Sequence, residues 1–126
     1  MDYLAGGPFS GRIKKNNKLS EHQALRYILS ILLGVNHLHE KGVMHRDLKP
    51  DNMMFRKEKG DDLVIVDFGL ASFVDCKEYI FSRCGTPGYV APEVANLKDP
   101  KAKYSTVCDL FSVGVILHLL FLFFLI

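Results

Sequence analysis

At 126 residues, with 48% hydrophobic side chains, the chain has room for one small domain with a core of its own. A net charge of +2, with 24% charged residues, lacks the electrostatic footprint of a nucleic-acid binder. Its three cysteines, Cys76, Cys84 and Cys108, have no metal-ligand spacing, which suits free thiols in a reducing, cytoplasmic compartment.

Met1 to Gly7 is short, apolar and then glycine-rich, and reads as a strand end running into a turn. Met1-Asp2-Tyr3 lacks the basic region and apolar core of a secretory signal. Ser10 to Lys18 is polar and basic. Its Arg12, Lys14, Lys15 and Lys18, with Asn16-Asn17 as turn formers, predict a solvated loop. Ser20 caps a helix, and Gln23 completes a capping box. Leu25, Ile28, Leu29, Leu32 and Leu33 then recur at helical spacing, extended by Val35 and Leu38, and predict the buried face of a central packing helix. Gly42 supplies the stop. His37 and His39 face different ways near its end and make a poor metal pair.

Val43-Met44 leads into His45-Arg46-Asp47-Leu48-Lys49-Pro50-Asp51-Asn52, which Pro50 marks as a loop. Asp47 suits the acceptance of a proton from an attacking hydroxyl, and Lys49 the neutralisation of a phosphoryl group. The Asn52 carboxamide oxygen suits a hard cation such as magnesium. Met53-Met54-Phe55 reads as a short strand, Lys57 to Asp62 as a polar turn, and Leu63 to Val66 as the returning strand. Such a hairpin presents Asn52 and Asp67 near each other at its open end, as two metal ligands require. The set fits phosphoryl transfer, which needs positioning and charge neutralisation more than covalent chemistry. Leu70 to Arg83 has no clear period.

The ordered set of His45-Arg46-Asp47-Leu48 through Asn52, then Asp67-Phe68-Gly69, then Ala91-Pro92-Glu93, resembles the signature of eukaryotic protein kinases. The resemblance implies an α+β, protein-kinase-like fold. It covers part of the C-terminal lobe, mainly helical, with short β-hairpins around the catalytic loop. The domain would run over 1–126, from the hinge between lobes to the large buried helix begun by Asp109-Leu110-Phe111-Ser112-Val113-Gly114. It further implies a serine/threonine protein kinase using ATP and Mg2+, with protein substrates. Asp47 and Lys49 would be catalytic, and Asn52 and Asp67 would hold magnesium. The adenine would bond the backbone of Asp2 and Leu4 above Met54, and Phe68 would pack against His45 in the core. Pro8 stands where family members often carry a polar or acidic residue that reaches the ribose.

Leu70 to Arg83 resembles the activation loop, with Ser82 as a phosphorylation site whose phosphate would pair with Arg46. Gly85 to Val90 resembles the segment that receives the substrate peptide, and Thr86 and Lys49 are of the serine/threonine type. The wording leans toward the calmodulin-dependent kinase group. Asp109 would hold the backbone around His45 and Arg46, while Glu93 has no basic partner in sight. The 126 residues contain no Gly-rich phosphate loop, strand lysine or partner glutamate. The expectation is therefore a fragment, inactive alone. A pseudokinase-like binding module that docks partners is one alternative. A membrane-anchored remnant is another, because Leu110 to Ile126 is apolar apart from Ser112, Gly114 and His118. That run is slightly short of the about 20 residues a spanning helix needs.

Overall fold

The structure, a computed structural model, describes residues 3–15 and 19–125. Among them are helices α1 (Phe9–Lys15), α2 (Glu21–Glu40), α3 (Pro92–Ala95) and α4 (Val107–Leu125). The strands are β1 (Val43–Met44), β2 (Met53–Phe55), β3 (Leu63–Ile65) and β4 (Ser72–Phe73). The capping box forms as expected: the Gln23 N–H donates to Ser20 Oγ and the Ser20 N–H to Gln23 Oε1, each at 3.1 Å. This satisfies donors that the helix itself leaves orphaned. Gly42, at φ 70°, lets the chain turn away after α2.

The buried stripe of α2 differs from the expected one. Ala24, Tyr27, Ile28, Ile31 and Val35 face the core, whereas Leu25, Leu29 and Leu33 are 57%, 59% and 62% exposed and Leu32 is also exposed. The helix is apolar on more than one face, so its periodicity fits several orientations. The partners decide among them. Tyr27 meets Phe9 and Phe55 edge-on, with ring centroids 5.2 and 5.5 Å away, and Phe9 meets Phe55 at 5.7 Å.

That aromatic cluster also explains α1, which stands where a solvated loop was expected. Phe9 and Ile13, four residues apart, are both buried and anchor one turn-to-turn face of α1. Arg12 lies over the Phe55 ring at 3.2 Å and donates to the backbone carbonyls of Glu58, at 3.1 Å, and Gly60. It thereby fastens α1 to the turn between β2 and β3. Lys14 and Lys15 remain exposed, and 16–18 lie outside the described residues.

β2 and β3 form the expected antiparallel hairpin, with Met53 opposite Ile65 and Phe55 opposite Leu63. Ser30 of α2 pins it, accepting the Leu63 N–H at 2.9 Å and donating to the Leu63 carbonyl at 3.2 Å. A second small antiparallel pair, β1 with β4, joins the catalytic-loop approach to the stretch that showed no period. Beneath that stretch a second apolar cluster collects Met44, Tyr79, Ala91, Val94 and Cys108.

α4 packs Val113, Ile116 and Leu120 into the main core beside α2. Leu110, Phe111, Phe121 and Leu122 are exposed on its other side, so among the described residues the helix that the resemblance makes a buried one is covered on one face. Among the described residues, no helix is long and apolar enough to cross a membrane.

Candidate active site

Asp109, at the first turn of α4, organises the loop that follows β1. Its carboxylate is 1% exposed and accepts the His45 N–H at 2.8 Å on Oδ2 and the Arg46 N–H at 2.9 Å on Oδ1. His39 Nε2 reaches Oδ2 at 2.9 Å. A buried charge is tolerable when hydrogen-bonded on both oxygens in this way. The bonds also hold Arg46 at φ 70°, in the left-handed region that residues other than glycine seldom adopt. Such a conformation costs about 1–3 kcal/mol and persists only where its surroundings dictate it. Asp67, at φ 61°, is the other described non-glycine residue in this region.

His45 is buried with both ring nitrogens used. Its Nδ1 accepts the Asp47 N–H at 3.2 Å, so Nε2 carries the proton and donates to the Val66 carbonyl at 3.0 Å. These roles follow from the network of partners. The ring therefore couples the Asp47 backbone to the strand exit just before Asp67. Phe68 meets the His45 ring edge-on at 5.2 Å, as expected, but it is 49% exposed and not a core residue. Among the described residues nothing covers its outer face.

The structure brings Asp47, Lys49, Asn52 and Thr86 together. Thr86 Oγ1 donates to Asp47 Oδ1 at 2.6 Å and accepts from Lys49 Nζ at 2.8 Å. Asn52 Nδ2 donates to the Asp47 backbone carbonyl at 2.9 Å and to Asp47 Oδ2 at 3.2 Å, and Lys49 Nζ stands 3.9 Å from the same Oδ2. Two donors therefore orient the Asp47 carboxylate, with an ammonium beside it, while the carboxylate remains partly open to solvent. A carboxylate held in this way can accept a proton from a hydroxyl brought to it.

The same bonds test the fit of a hard cation. Because Asn52 turns its Nδ2 toward Asp47, its Oδ1 carries no hydrogen bond among the described residues. Asp67 Oδ1 accepts the Gly69 N–H at 3.2 Å, and its Oδ2 has no partner among the described residues. The Val66 N–H donates to the Asn52 carbonyl at 2.9 Å, which extends the β2–β3 pairing to Asn52 and the residue just before Asp67. Two oxygen donors, one amide and one carboxylate, suit magnesium, which takes few protein ligands and fills its shell with water and phosphate. Among the described residues no cluster of three or more His, Cys, Asp or Glu could hold a metal unaided.

Gly6 shows why glycine is needed in the entry segment. A Cβ there would come within 2.3 Å of the Lys57 carbonyl oxygen and 2.4 Å of Phe55 Cβ. The segment runs against β2, with the Gly6 N–H on the Phe55 carbonyl at 3.1 Å and the Phe55 N–H on the Gly7 carbonyl at 2.9 Å. Leu4 precedes this contact and is half-buried. Asp2, expected as the other backbone contact of an adenine, lies outside the described residues. Met54 points away from the buried Met53 and Phe55 and is half-buried.

Arg46 and Ser82, expected as a regulatory pair, have other partners. Arg46 donates through Nε to the Leu70 carbonyl at 2.7 Å and through Nη1 to the Phe81 carbonyl at 2.6 Å and the Tyr104 hydroxyl at 2.8 Å. The Ser82 hydroxyl donates to the Pro100 carbonyl at 2.8 Å. Gly85, at φ 117°, lets the segment pass close to the Arg46 backbone, where a Cβ would stand 3.1 Å from the carbonyl oxygen. Glu93 is exposed, and among the described residues it has no basic partner.

Sequence reasoning missed two residues. The sequence offers His39 only as half of a poor metal pair, yet it serves the Asp109 carboxylate; its reach of 70 residues leaves no local signal. Tyr104 was not singled out at all. Burial, the largest cause, pushes its hydroxyl from the ordinary 10.0 up to about 12, against the pull of Arg46. Burial likewise pushes the Cys84 thiol up, with Arg46 opposing.

Comparisons with known proteins give the family. A family described as "Protein kinase domain" matches residues 1–124. A probable myosin light chain kinase of Dictyostelium discoideum is 40% identical over 95% of this chain and 37% of its own length. The serine/threonine-protein kinase grp of Drosophila melanogaster is 42% identical over 93% of this chain and 22% of its own. CBL-interacting serine/threonine-protein kinase 8 of Arabidopsis thaliana is 40% identical over 95% and 26%. The chain thus spans well under half the length of these relatives.

Proposed function

This chain belongs to the protein kinase family, and from that premise we propose that it forms the catalytic-loop part of a protein serine/threonine kinase. The observation that carries the reading is the contact of Thr86 with both Asp47 and Lys49, which ties the base and the ammonium to the segment expected to receive the substrate. In this reading Asp47 orients a serine or threonine hydroxyl of a protein substrate and takes its proton on Oδ2. Lys49 stands beside the same oxygen, where charge accumulates on the transferring group. Asn52 Oδ1 and Asp67 Oδ2 are the two oxygens that would hold magnesium, and the backbone at Asp2 and Leu4, with Met54, would seat an adenine. Bound ATP with Mg2+ supplies the phosphoryl group and the charge that offsets its oxygens. Arg46 orders the activation segment, and the reducing cytoplasm is the compartment that suits three free thiols.

These 126 residues hold none of the groups that would grip the α- and β-phosphates, so by themselves they are expected to transfer no phosphate. The test uses a polypeptide extended upstream through a Gly-rich loop and a lysine-bearing strand. There Asp47→Asn lowers magnesium-dependent transfer from ATP to a serine peptide by about 10²–10⁴-fold, the usual contribution of a positioned base. Nucleotide binding stays intact, whereas Asp67→Asn weakens it. Undiminished transfer in the Asp47 variant would remove Asp47 as the base. Absence of transfer in the parent would favour the non-catalytic binding module.

A further inference from the structure

We propose that Tyr104 is a positioning residue that holds the activation segment on Arg46 without a phosphate. The proposal deepens the kinase reading and rests on it for its purpose, though not for its geometry.

Arg46 is buried, and among the described residues the hydrogen bonds of its side chain go to neutral acceptors: the Leu70 and Phe81 carbonyls and the Tyr104 hydroxyl. Its guanidinium carbon lies 5.1 Å from the Tyr79 ring centroid, a cation–π contact that adds to the hold on the charge. The Tyr104 hydroxyl then passes the link on, donating to the Ser82 carbonyl at 2.8 Å. One hydroxyl thus joins the guanidinium to the backbone of the residue expected to carry a phosphate.

The neighbours of Tyr104 reinforce this link. The Tyr79 hydroxyl donates to the Tyr104 carbonyl at 3.1 Å, and the two rings lie 4.9 Å apart. Lys103 Nζ sits 3.9 Å over the Tyr79 ring and donates to the Cys76 carbonyl. The Ser82 hydroxyl is committed to the Pro100 carbonyl. Residues 100–104 therefore bracket 76–82 from one side, and Arg46 closes the bracket from the other. The Tyr104 hydroxyl donates its one proton to Ser82 while its oxygen accepts from Arg46.

Amide hydrogen exchange over residues 76–86 of this chain reads the tie, and the amides of α2 serve as the internal reference for global opening. The wild-type chain should exchange alike with and without inorganic phosphate, because Arg46 already has its acceptors. Tyr104→Phe keeps the ring and removes the hydroxyl alone. It should exchange about tenfold faster over 76–86, as expected for losing about one charge-assisted hydrogen bond, with α2 unchanged. Inorganic phosphate should then slow the variant again by filling the place on Arg46. An unchanged variant would overturn the proposal. So would a faster variant that phosphate does not slow, since that marks Tyr104 as packing only. Marked slowing of the wild type by phosphate would overturn it without any variant, because Arg46 would then have been waiting for an anion. None of these measurements reads phosphoryl transfer, so their failure is separate from failure of the Asp47 test.

Discussion

The Thr86 hydroxyl donates to Asp47 Oδ1 at 2.6 Å, across 39 positions of sequence. Through this bond the orientation of the Asp47 carboxylate depends on where the segment around Thr86 is seated. Lys49 Nζ, at 2.8 Å from the same hydroxyl, shares the dependence. Thr86→Val preserves the shape of the side chain and removes the hydroxyl. In the extended polypeptide it should lower transfer about 10–10²-fold, the consequence of losing about 1.5–3 kcal/mol of charge-assisted bonding. Thr86→Ser should restore most of the rate. A valine variant with the parent's rate constant would show that Asp47 is oriented by Asn52 alone.

Asp109 carries a different load, since its carboxylate holds two consecutive backbone N–H groups and His39. Asp109→Ala leaves those donors buried without acceptors and frees Arg46 from φ 70°. A loss of about 3 kcal/mol in unfolding free energy is expected, typical of breaking a buried network from one side. Asp109→Asn keeps one acceptor oxygen and should fall in between. Urea denaturation measures both. A near-neutral alanine variant would mean that the loop takes up its left-handed turn unaided.

Much of this arrangement is legible in the sequence where the interactions are local. Ser20 and Gln23 announce the start of α2 because a capping box spans only three residues. The β2–β3 hairpin, and with it the pairing of Asn52 with Val66, follows from two short apolar runs separated by a polar turn. The orientation of α2 was not legible. Leu25, Leu29 and Leu33 form as good an apolar stripe as Ala24, Tyr27, Ile28 and Ile31, and only Phe9 and Phe55, distant in sequence, select between them. α1 was hidden by its own charges, since its two anchors, Phe9 and Ile13, sit among basic residues. Tyr104 lies 58 residues from Arg46, and no short motif marks the pair.

Arg12 offers a test of how α1 contributes. Its side chain covers the Phe55 ring and takes the carbonyls of the β2–β3 turn. Arg12→Ala should cost about 1–2 kcal/mol, from cation–π and carbonyl contacts at a partly exposed site. Arg12→Lys should recover only part of this, because an ammonium cannot both stack flat and fork between carbonyls. The comparison is read from denaturation midpoints. An alanine variant as stable as the parent would reduce α1's attachment to Phe9 and Ile13.

Cys108, in the first turn of α4, makes the stability of the chain sensitive to alkali. Burial pushes its thiol from the ordinary 9.0 up to about 12, and the charges of Asp109 and Glu93 add to the rise. The folded chain therefore keeps a proton that the unfolded chain releases once the pH passes 9.0. Below that point the contribution is fully present and flat. Above it the unfolded state binds fewer protons, so stability falls as pH rises, by at most about 1.4 kcal/mol per pH unit, until the folded thiol also ionises. The Cys84 thiol is raised as well and shares the lower edge of this window, whereas the Tyr104 hydroxyl enters only beyond its own ordinary 10.0. Urea denaturation of the parent and of Cys108→Ala at about pH 8 and about pH 10 isolates the effect. The parent should lose more stability than the variant between the two, and the Cys84→Ala variant should lose nearly as much as the parent. A slope that survives Cys108→Ala undiminished and disappears in Cys84→Ala would transfer the alkaline sensitivity from the α4 core to the activation segment.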